Sequence, residues 1–341
     1  MQLIENAKDN DYSSWRILGN AYLELKPIEG LSLKTNIGIE HSQYFNHTLG
    51  RTVNPGDVNS VSSVYGQGDT WTWTNTANYN KTFADKHHLT VLLGTEAISY
   101  TFRDLSASRE GYAFEDPDYM QIGAGTGTRS NGGGKTQWSV FSLFGKVDYN
   151  YADRYLASFT IRRDENSRFA KGYRAGIFPA FSLAWRPTQE EFFPQNNVLS
   201  DLKVRYSWGQ NGNANIPSLY PAYSTYIFNT GNGAYDISGT NSSTTSGITL
   251  SSTGNPELKW ETTYQHNIGA DFQFFSGALG LSADYYIKKT KDMLTIPPAL
   301  DVAGENAAMW LNTGSMENKG WEIALSYNLS LIHISEPTRP Y

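Results

Sequence analysis

The sequence predicts an all-β protein, an antiparallel transmembrane β-barrel of about twelve strands, with short turns on one side and long loops on the other. Residues 31–40 alternate strictly between apolar and polar side chains, and a period of two places the two sets on opposite faces of a strand. The pattern recurs along the chain, and the connections alternate between short and long. Segregated loop lengths are typical of outer-membrane barrels, which have short periplasmic turns and long external loops.

Composition permits this fold. No stretch approaches the roughly 18 apolar residues of a membrane helix, but a barrel strand needs only alternate apolar residues. Aromatic residues make up 14% of the 341 residues, with 22 Tyr and 9 Trp. Their rings have an apolar body and a polar tip, which suits bilayer interfaces and also sugar-binding surfaces.

Composition also excludes several kinds of site. The chain has no cysteine, which excludes disulfides, zinc–thiolate sites and thiol nucleophiles. Its net charge of −6 argues against a nucleic-acid partner. The N-terminal residues have neither the basic nor the apolar region of a signal peptide, so we expect the natural beginning of the protein to lie upstream.

Three hairpins are predicted in the first half of the chain. Their strands are expected at 15–26 and 31–45, at 71–83 and 88–102, and at 137–151 and 155–164, with short turns at 27–30, 84–87 and 152–154. The polar stretches 46–69 and 103–135 are expected to form long loops between these hairpins. The second stretch contains the glycine clusters 123–127 and 132–134.

The second half continues the pattern with six strands. They are expected at 176–186, around 204–208, and at 260–275, 279–293, 309–316 and 320–327, with a medium connection at 187–200, the longest loop at 210–258 and a short turn at 276–278. The last pair is hinged at 317–319, because Asn318 and Gly320 tolerate positive φ in a tight turn. Trp321 follows, and we expect it in an interfacial aromatic belt.

A soluble β-rich protein is the alternative fold, since a β-sandwich or propeller also alternates apolar and polar residues. Such a protein has less reason to segregate loop lengths, or to use strands longer than about 5–6 residues. The pattern therefore favours the membrane barrel.

Four segments carry a resemblance to a known family. They are Asn255-Pro256-Glu257-Leu258-Lys259-Trp260-Glu261; Asp284-Tyr285-Tyr286 with residues 288–294; Asn312-Thr313-Gly314 through Glu317-Asn318-Lys319-Gly320-Trp321-Glu322; and Arg162-Arg163-Asp164 with residues 166–169, 178–179 and 182–186. These segments resemble signatures of the SusC/RagA-type TonB-dependent outer-membrane transporters, and the third is the most specific. Together they cover most of residues 137–328, while the first third matches by pattern and loop placement.

The resemblance implies a plugged barrel of the roughly 22-strand class, of which residues 1–328 would form an incomplete part of about twelve strands. It implies active import of oligosaccharides or peptides, with a SusD-like surface lipoprotein as partner and TonB engaged through a region absent from this chain. The plug, the TonB box and the final strands are expected outside the chain. No cofactor is expected. A passive porin in the outer-membrane lipid is the first alternative, and a soluble β-rich binding protein is the second.

The last residues are treated separately. Residues 329–341 resemble the translation of a sequencing-library adapter, and two prolines follow a short apolar run there. We therefore interpret this segment as a non-native tail.

Charged residues on the polar faces of the predicted strands are expected to pair inside the barrel. They include Arg162, Arg186, Asp284 and Lys288. In a lipid-facing position each would cost roughly 2–4 kcal/mol near the midplane of the bilayer.

The spacing of the histidine and acidic clusters does not predict a metal site. His87 and His88 are neighbours, and neighbouring strand residues point to opposite faces, so a pair at a turn is favoured over a metal site. The carboxylates within 114–118 lack the spacing of an EF-hand, which favours a solvated loop over a calcium site.

No catalytic residue is predicted, and the chain is expected not to be an enzyme. The glycine clusters lack the Gly-Lys-Ser/Thr ending and the following helix of a phosphate loop. Nothing in the sequence arranges Ser, His and Asp as a triad, and an outer-membrane hydrolase is kept as an alternative. Arg163, Asp164 and Glu165 with Arg168 predict a charge network at the rim.

Aromatic residues of the longest loop are the candidate substrate-binding residues: Tyr220, Tyr223, Tyr226, Phe228 and Tyr235. Aromatic faces stack on sugar rings, and exposed loops commonly carry function. The alternatives are packing of loop against loop and contact with the lipoprotein.

Overall fold

The computed structural model describes residues 9–194, 198–229, 234–237, 239, 245, 247–298 and 308–328. The predicted tail 329–341 lies outside them. Nearly all regular structure in this part of the chain is β-strand, with a single 3-10 turn at Pro187–Gln189. No helix among these residues is long and apolar enough to cross a membrane. The strands are β1 (Asp11–Ile28), β2 (Leu31–Gly50), β3 (Ser60–Phe83), β4 (His87–Glu110), β5 (Arg129–Tyr151), β6 (Tyr155–Asn166), β7 (Ala175–Trp185), β8 (Leu199–Asn213), β9 (Thr225–Asn229), β10 (Gly247–Ser252), β11 (Glu261–Phe274), β12 (Leu279–Lys291), β13 (Leu294–Thr295), β14 (Leu311–Asn312) and β15 (Ser315–Tyr327).

One antiparallel sheet of 11 strands contains most of these elements. Its order is β1-β2-β3-β4-β5-β6-β7-β8-β11-β12-β15, and β9–β10 and β13–β14 form separate two-stranded pairs. Within the described residues β1 and β15 each have one neighbour, so the sheet does not close. This confirms the predicted incomplete barrel wall.

Cross-strand register confirms the predicted separation of apolar and polar side chains. Phe272 of β11 lies opposite Leu281 of β12, which lies opposite Leu325 of β15. The neighbouring positions place Asp271 opposite Ser282 on the other face. We call the first surface the apolar face and the second the polar face, and in unit 2 both continue through β8, β7 and β6. On β11, β12 and β15 the apolar face consists of Ile268, Ala270, Phe272, Phe274, Leu279, Leu281, Ala283, Tyr285, Ile287, Trp321, Ile323, Leu325 and Tyr327.

The predicted last hairpin is wrong. Residues 317–319 do not turn but continue through β15, where Asn318 pairs with Lys288 and Gly320 pairs with Tyr286. A Cβ atom at Gly320 would lie 2.6 Å from the Tyr286 hydroxyl oxygen. Gly320 therefore makes room for a neighbouring ring instead of supplying a positive φ, and the sheet has 11 strands where about twelve were expected.

Two of the predicted long loops are partly strand. β2 continues to Gly50 and β3 begins at Ser60, while β4 and β5 extend to Glu110 and from Arg129. The glycines at 132–134 lie within β5. Hydrogen bonding between strand backbones does not require an apolar row, so the alternation of apolar and polar residues marks only part of each strand. Beyond that part the strands continue with polar side-chain contacts, such as that between His47 Nδ1 and Ser63 Oγ at 2.9 Å.

The chain divides into two compact units, described separately. Unit 1 contains residues 9–25, 34–75 and 95–141, and its core packs Leu49, Val61, Tyr112 and Met120. Unit 2 contains residues 26–33, 76–94 and the described residues from 142 onward. Its core packs Phe169, Ala214, Ile216 and Leu258 with Trp260, Leu294 and Trp310. In each unit the buried apolar residues lie mainly where the loops meet the strand ends, and many apolar residues of the strands are exposed.

Candidate functional site

The polar face of unit 2 carries a charge cluster that crosses three strands. Arg205 of β8 lies opposite Gly269 of β11, which lies opposite Asp284 of β12. Arg205 Nη2 donates to Asp284 Oδ2 at 2.6 Å. A Cβ atom at Gly269 would lie 2.5 Å from Asp284 Oδ1 and 2.7 Å from Arg205 Cζ. The missing side chain of Gly269 therefore lets the guanidinium reach across β11.

A second carboxylate fixes the same guanidinium. Arg205 donates to both oxygens of Asp271, at 3.0 and 3.1 Å, and Ser282 Oγ donates to Asp271 Oδ1 at 2.7 Å. Bidentate geometry holds the planar guanidinium in one orientation. Asp284 Oδ1 is buried and has no hydrogen-bond partner among the described residues, so it can accept one more hydrogen bond.

The sequence predicted that polar-face charges would pair, and the structure confirms this for three of the four named residues. Arg162 Nε donates to Asp164 at 2.7 Å, and Arg186 binds both oxygens of Asp201 at 3.3 and 3.2 Å. Asp284 pairs with Arg205, which the sequence analysis missed. The only sequence signal for this pair is that both residues lie on the polar faces of their strands. Whether those strands are close together depends on the strand order of the sheet.

A recess of about 420 Å³ opens on the polar face of unit 2. Residues from β4 to β11 line it, so this face curves inward. Its lining combines apolar carbon surface with polar and charged groups, which include Asp148, Asn150, Lys203, Arg205 and Asn267. The side-chain oxygen of Asn267 is buried without a partner in the described part of the chain, which leaves an acceptor in the wall of the recess.

All five predicted loop aromatics are exposed. Tyr226 and Phe228 point to the same face of β9, opposite Leu250 and Ile248 of β10. Tyr235 forms an isolated bridge with Thr245. The exposed fractions of the five rings range from 44% to 80% (Tyr220, Tyr223, Tyr226, Phe228 and Tyr235), and within the described residues no ring pair joins them. The structure thus displays the rings without assembling them into one pocket.

The base of this loop is fixed by the segments that carried the family resemblance. Asn255 Nδ2 donates to the Trp310 carbonyl at 2.9 Å, and Asn312 Nδ2 donates to the Lys259 carbonyl at 2.8 Å. Trp260 Nε1 donates to the Arg174 carbonyl at 2.8 Å. Segments distant in sequence therefore meet around the buried Leu258 and hold three loops together.

The histidine pair begins β4 and does not lie in the turn, which is formed by residues 84–86. His87 Nδ1 lies 2.7 Å from the Tyr149 hydroxyl, and His88 Nδ1 lies 2.9 Å from Thr82 Oγ1. The two rings serve opposite faces. No group of three or more His, Cys, Asp or Glu in the described ranges is placed to hold a metal ion.

The rim charges divide by strand face, so the predicted network has different partners. Arg162 binds Asp164, and Arg163 forms a short ion pair with Glu165, because residues two apart share a face. Arg168 donates to the carbonyl oxygens of Ala214 and Ile216 at 3.3 and 3.4 Å. Arg168 thereby secures the longest loop.

The acidic loop of unit 1 is organised by Glu115. Its carboxylate accepts from the Thr52 backbone at 2.8 Å and from Asn59 Nδ2 at 3.3 Å. Hydrogen bonds from the Thr52 side chain and backbone, followed by that from Asn59, hold the pKa of Glu115 below its usual range. Asp116 accepts from the Asp118 backbone at 2.9 Å. These contacts tie the acidic loop to the loop 51–59 between β2 and β3.

Comparison with known proteins gives a consistent family assignment. The family model described as "TonB dependent receptor-like, beta-barrel" matches residues 3–335. This range extends into segment 329–341, so the proposed boundary at residue 328 stays a prediction. TonB-dependent receptor P3 of Formosa agariphila is 30% identical over 315 residues, which are 90% of this chain and 30% of that protein. TonB-dependent receptor SusC of Bacteroides thetaiotaomicron is 37% identical over 191 residues, 56% of this chain and 19% of SusC.

A solved structure supports the fold. The RagAB peptide transporter matches with a TM-score of 0.84 and 27% identity over 96% of this chain and 36% of that chain. The chain therefore spans about a third or less of the proteins that it resembles.

Proposed function

Since the chain belongs to the TonB-dependent receptor-like β-barrel family of outer-membrane proteins, we propose that the whole protein is an active transporter that imports oligosaccharides or peptides. Energy would arrive from TonB through a region outside this chain. A SusD-like surface lipoprotein would be its partner. The similarity to SusC and to the RagAB peptide transporter supports this assignment.

The contrast between the two sides of one sheet is the observation that carries the proposal. The apolar face leaves Ile268 of β11, a strand with a neighbour on each side, 56% exposed, although this side chain is strongly apolar. The polar face opposite carries paired charges and a recess. A sheet that separates lipid from an aqueous lumen requires this arrangement.

We assign substrate contact to Tyr220, Tyr223, Tyr226, Phe228 and Tyr235. This assignment is supported by the position of the five rings above a fixed loop base. The core of the loop is buried, while the rings are open to solvent. Exposed aromatic faces on a rigid base contact a ligand with little loss of conformational entropy.

The test measures accumulation of fluorescently labelled oligosaccharides and peptides in cells that express the full-length protein, with and without tonB. We expect accumulation to require TonB, and to fall when the five loop aromatics are replaced by serine. The matched control replaces Phe114 and Tyr119, which are 70% and 66% exposed in unit 1.

Accumulation that continues without TonB and equilibrates with the outside concentration would overturn active import and support a porin. Equal losses in the loop variant and the control would overturn the role of the five aromatics.

A further inference from the structure

Two aromatic rings meet across a strand on the polar side of unit 1. Tyr44 of β2 and Phe102 of β4 have ring centroids 6.4 Å apart, with planes at 18°. β3 lies between their strands, and strands two positions apart are separated by about 9.5 Å. Both rings therefore lean over β3. On the same face, Arg16 of β1 and Glu40 of β2 form an ion pair at 2.7 Å.

Glycines of β3 form the floor under these rings. A Cβ atom at Gly66 would lie 2.2 Å from Tyr44 Cε1, and one at Gly68 would lie 2.8 Å from Ser42 Oγ and 3.8 Å from Phe102 Cδ2. Both glycines are buried, whereas Tyr44 and Phe102 are only half-buried. The glycine floor thus covers one side of the Tyr44 ring and leaves the other side accessible.

Further rings extend the surface along the same face. Tyr100 of β4 and Trp138 of β5 lie 5.6 Å apart with planes at 28°, and Tyr12 of β1 lies 6.3 Å from Tyr44 with planes at 27°. The hydroxyls of Tyr12, Tyr44 and Tyr100 have no hydrogen-bond partner among the described residues. We call Tyr12, Tyr44, Tyr100, Phe102 and Trp138 the aromatic row.

Polar groups flank the aromatic row where β5 lacks side chains. A Cβ atom at Gly134 would lie 3.3 Å from Asp104 Oδ1, and one at Gly132 would lie 3.0 Å from Ser106 Oγ. Both glycines are exposed, so Asp104 and Ser106 have open space beside them. In the described part of the chain neither side chain makes a hydrogen bond. The glycine cluster of β5 thus leaves free acceptors next to stacked rings.

We propose that the aromatic row is a binding surface for successive sugar rings of a neutral oligosaccharide, with Asp104 and Ser106 accepting hydrogen bonds from sugar hydroxyls. This inference rests on the proposed import function and specifies its cargo.

The chemistry of the surface favours sugar over peptide. A pyranose ring presents a C–H face to an aromatic ring and hydroxyl groups around its edge, which matches open ring faces bordered by phenol, carboxylate and hydroxyl groups. An extended peptide instead requires backbone partners or charged anchors. The Arg16 and Glu40 charges beside the row already pair with each other.

The experiment measures binding to the full-length protein in detergent by calorimetry. The probes are maltohexaose, cellohexaose, xylohexaose and mannohexaose, together with a pool of neutral hexapeptides. We expect at least one hexasaccharide to bind, and the double variant Tyr44→Ala/Phe102→Ala to bind it about tenfold more weakly. Trp138→Ala is expected to weaken binding by a few-fold.

Matched variants separate recognition from folding. Phe45→Ala removes the neighbouring ring on the opposite face of β2, where Phe45 is 37% exposed, and is expected to leave the affinity unchanged. Tyr44→Trp keeps a stacking face and is expected to retain most of the affinity. Heat-modified mobility in gels reports whether each variant is folded.

Unchanged hexasaccharide affinity in a folded Tyr44→Ala/Phe102→Ala variant would overturn the inference. Binding of the hexapeptides without any hexasaccharide would also overturn it, while TonB-dependent peptide import would keep the proposed function. Hexasaccharide binding that depends on the row, combined with uptake that does not need TonB, would overturn the proposed function alone.

Discussion

The two faces of β11, β12 and β15 are built from different kinds of contact, although they share the same backbone. On the apolar face, side chains such as Ile268 of the interior strand β11 remain more than half exposed. On the polar face, Arg205 reaches Asp284 only because Gly269 leaves a gap between them. The apolar face therefore requires only that its residues be apolar, whereas the polar face requires particular residues in a particular register.

A charge on each face tests this contrast with the largest expected effect. Ile323→Arg lies in the middle of the apolar row of β15 and is expected to destabilise the full-length protein in lipid vesicles by about 2–4 kcal/mol. The matched variant Ala324→Arg points to the polar face and is expected to cost less than about 1 kcal/mol. Urea unfolding in vesicles measures both, and equal costs would remove the assignment of faces.

A side chain in the glycine gap tests the specificity of the polar face. Gly269→Val places a Cβ atom where Asp284 Oδ1 now lies 2.5 Å away, and is expected to cost about 1–3 kcal/mol through overpacking and loss of the ion pair. Gly123→Val is the control, because Gly123 lies in an exposed loop where a Cβ atom meets nothing within 4 Å. The same unfolding assay applies. A Gly269 variant as stable as the Gly123 variant would show that the gap is dispensable.

An aromatic pair on the apolar face gives a smaller effect. The rings of Tyr285 and Trp321 lie 4.6 Å apart across β12 and β15. Trp321→Leu keeps an apolar side chain and is expected to cost about 0.5–1.5 kcal/mol, because only the ring interaction is lost. Tyr285→Leu should add little once Trp321 is replaced. Additive losses in this double-mutant cycle would mean that the rings are not coupled.

The smallest expected effect is on the acidic loop of unit 1, which lies outside the sheet, where water reaches the polar contacts. The lowered pKa of Glu115 means that its hydrogen bonds stabilise the loop fully above the ordinary glutamate pKa of about 4.3. This stabilisation is lost as the pH falls through the lower pKa of the folded loop. Hydrogen exchange of residues 111–128 is expected to accelerate between pH 4 and pH 2.5, once corrected for intrinsic rates. Glu115→Gln should lose this pH dependence, and an unchanged profile in that variant would contradict it.

The local alternation of apolar and polar residues predicted the two faces of the strands, because the polarity of a residue is enough to assign its face. It placed Phe272 and Leu281 on one side and Asp284 on the other, and the register agrees. The local pattern led to a wrong prediction where a residue on the neighbouring strand determines the structure. Gly320 has the composition of a turn, but Tyr286 occupies the space above it within a continuous strand.

The candidate site shows the same limit. Exposure of the loop aromatics followed from their polar surroundings in the sequence, whereas the partner of Asp284 did not. Arg205 and Asp284 are 79 residues apart, and their contact depends on β8, β11 and β12 being neighbours. The aromatic row likewise joins β1 to β5 and has no local signature.

Spin labels along β15 test the central claim most directly. The sequence has no cysteine, so single cysteines at positions 321–326 can each carry one label in this part of the full-length protein in lipid vesicles. Labels at 321, 323 and 325 are predicted to be relaxed by oxygen dissolved in the lipid, and labels at 322, 324 and 326 by a water-soluble nickel complex. A strict alternation with period two would support a wall between lipid and lumen, and equal accessibility to the nickel complex at all six positions would contradict it.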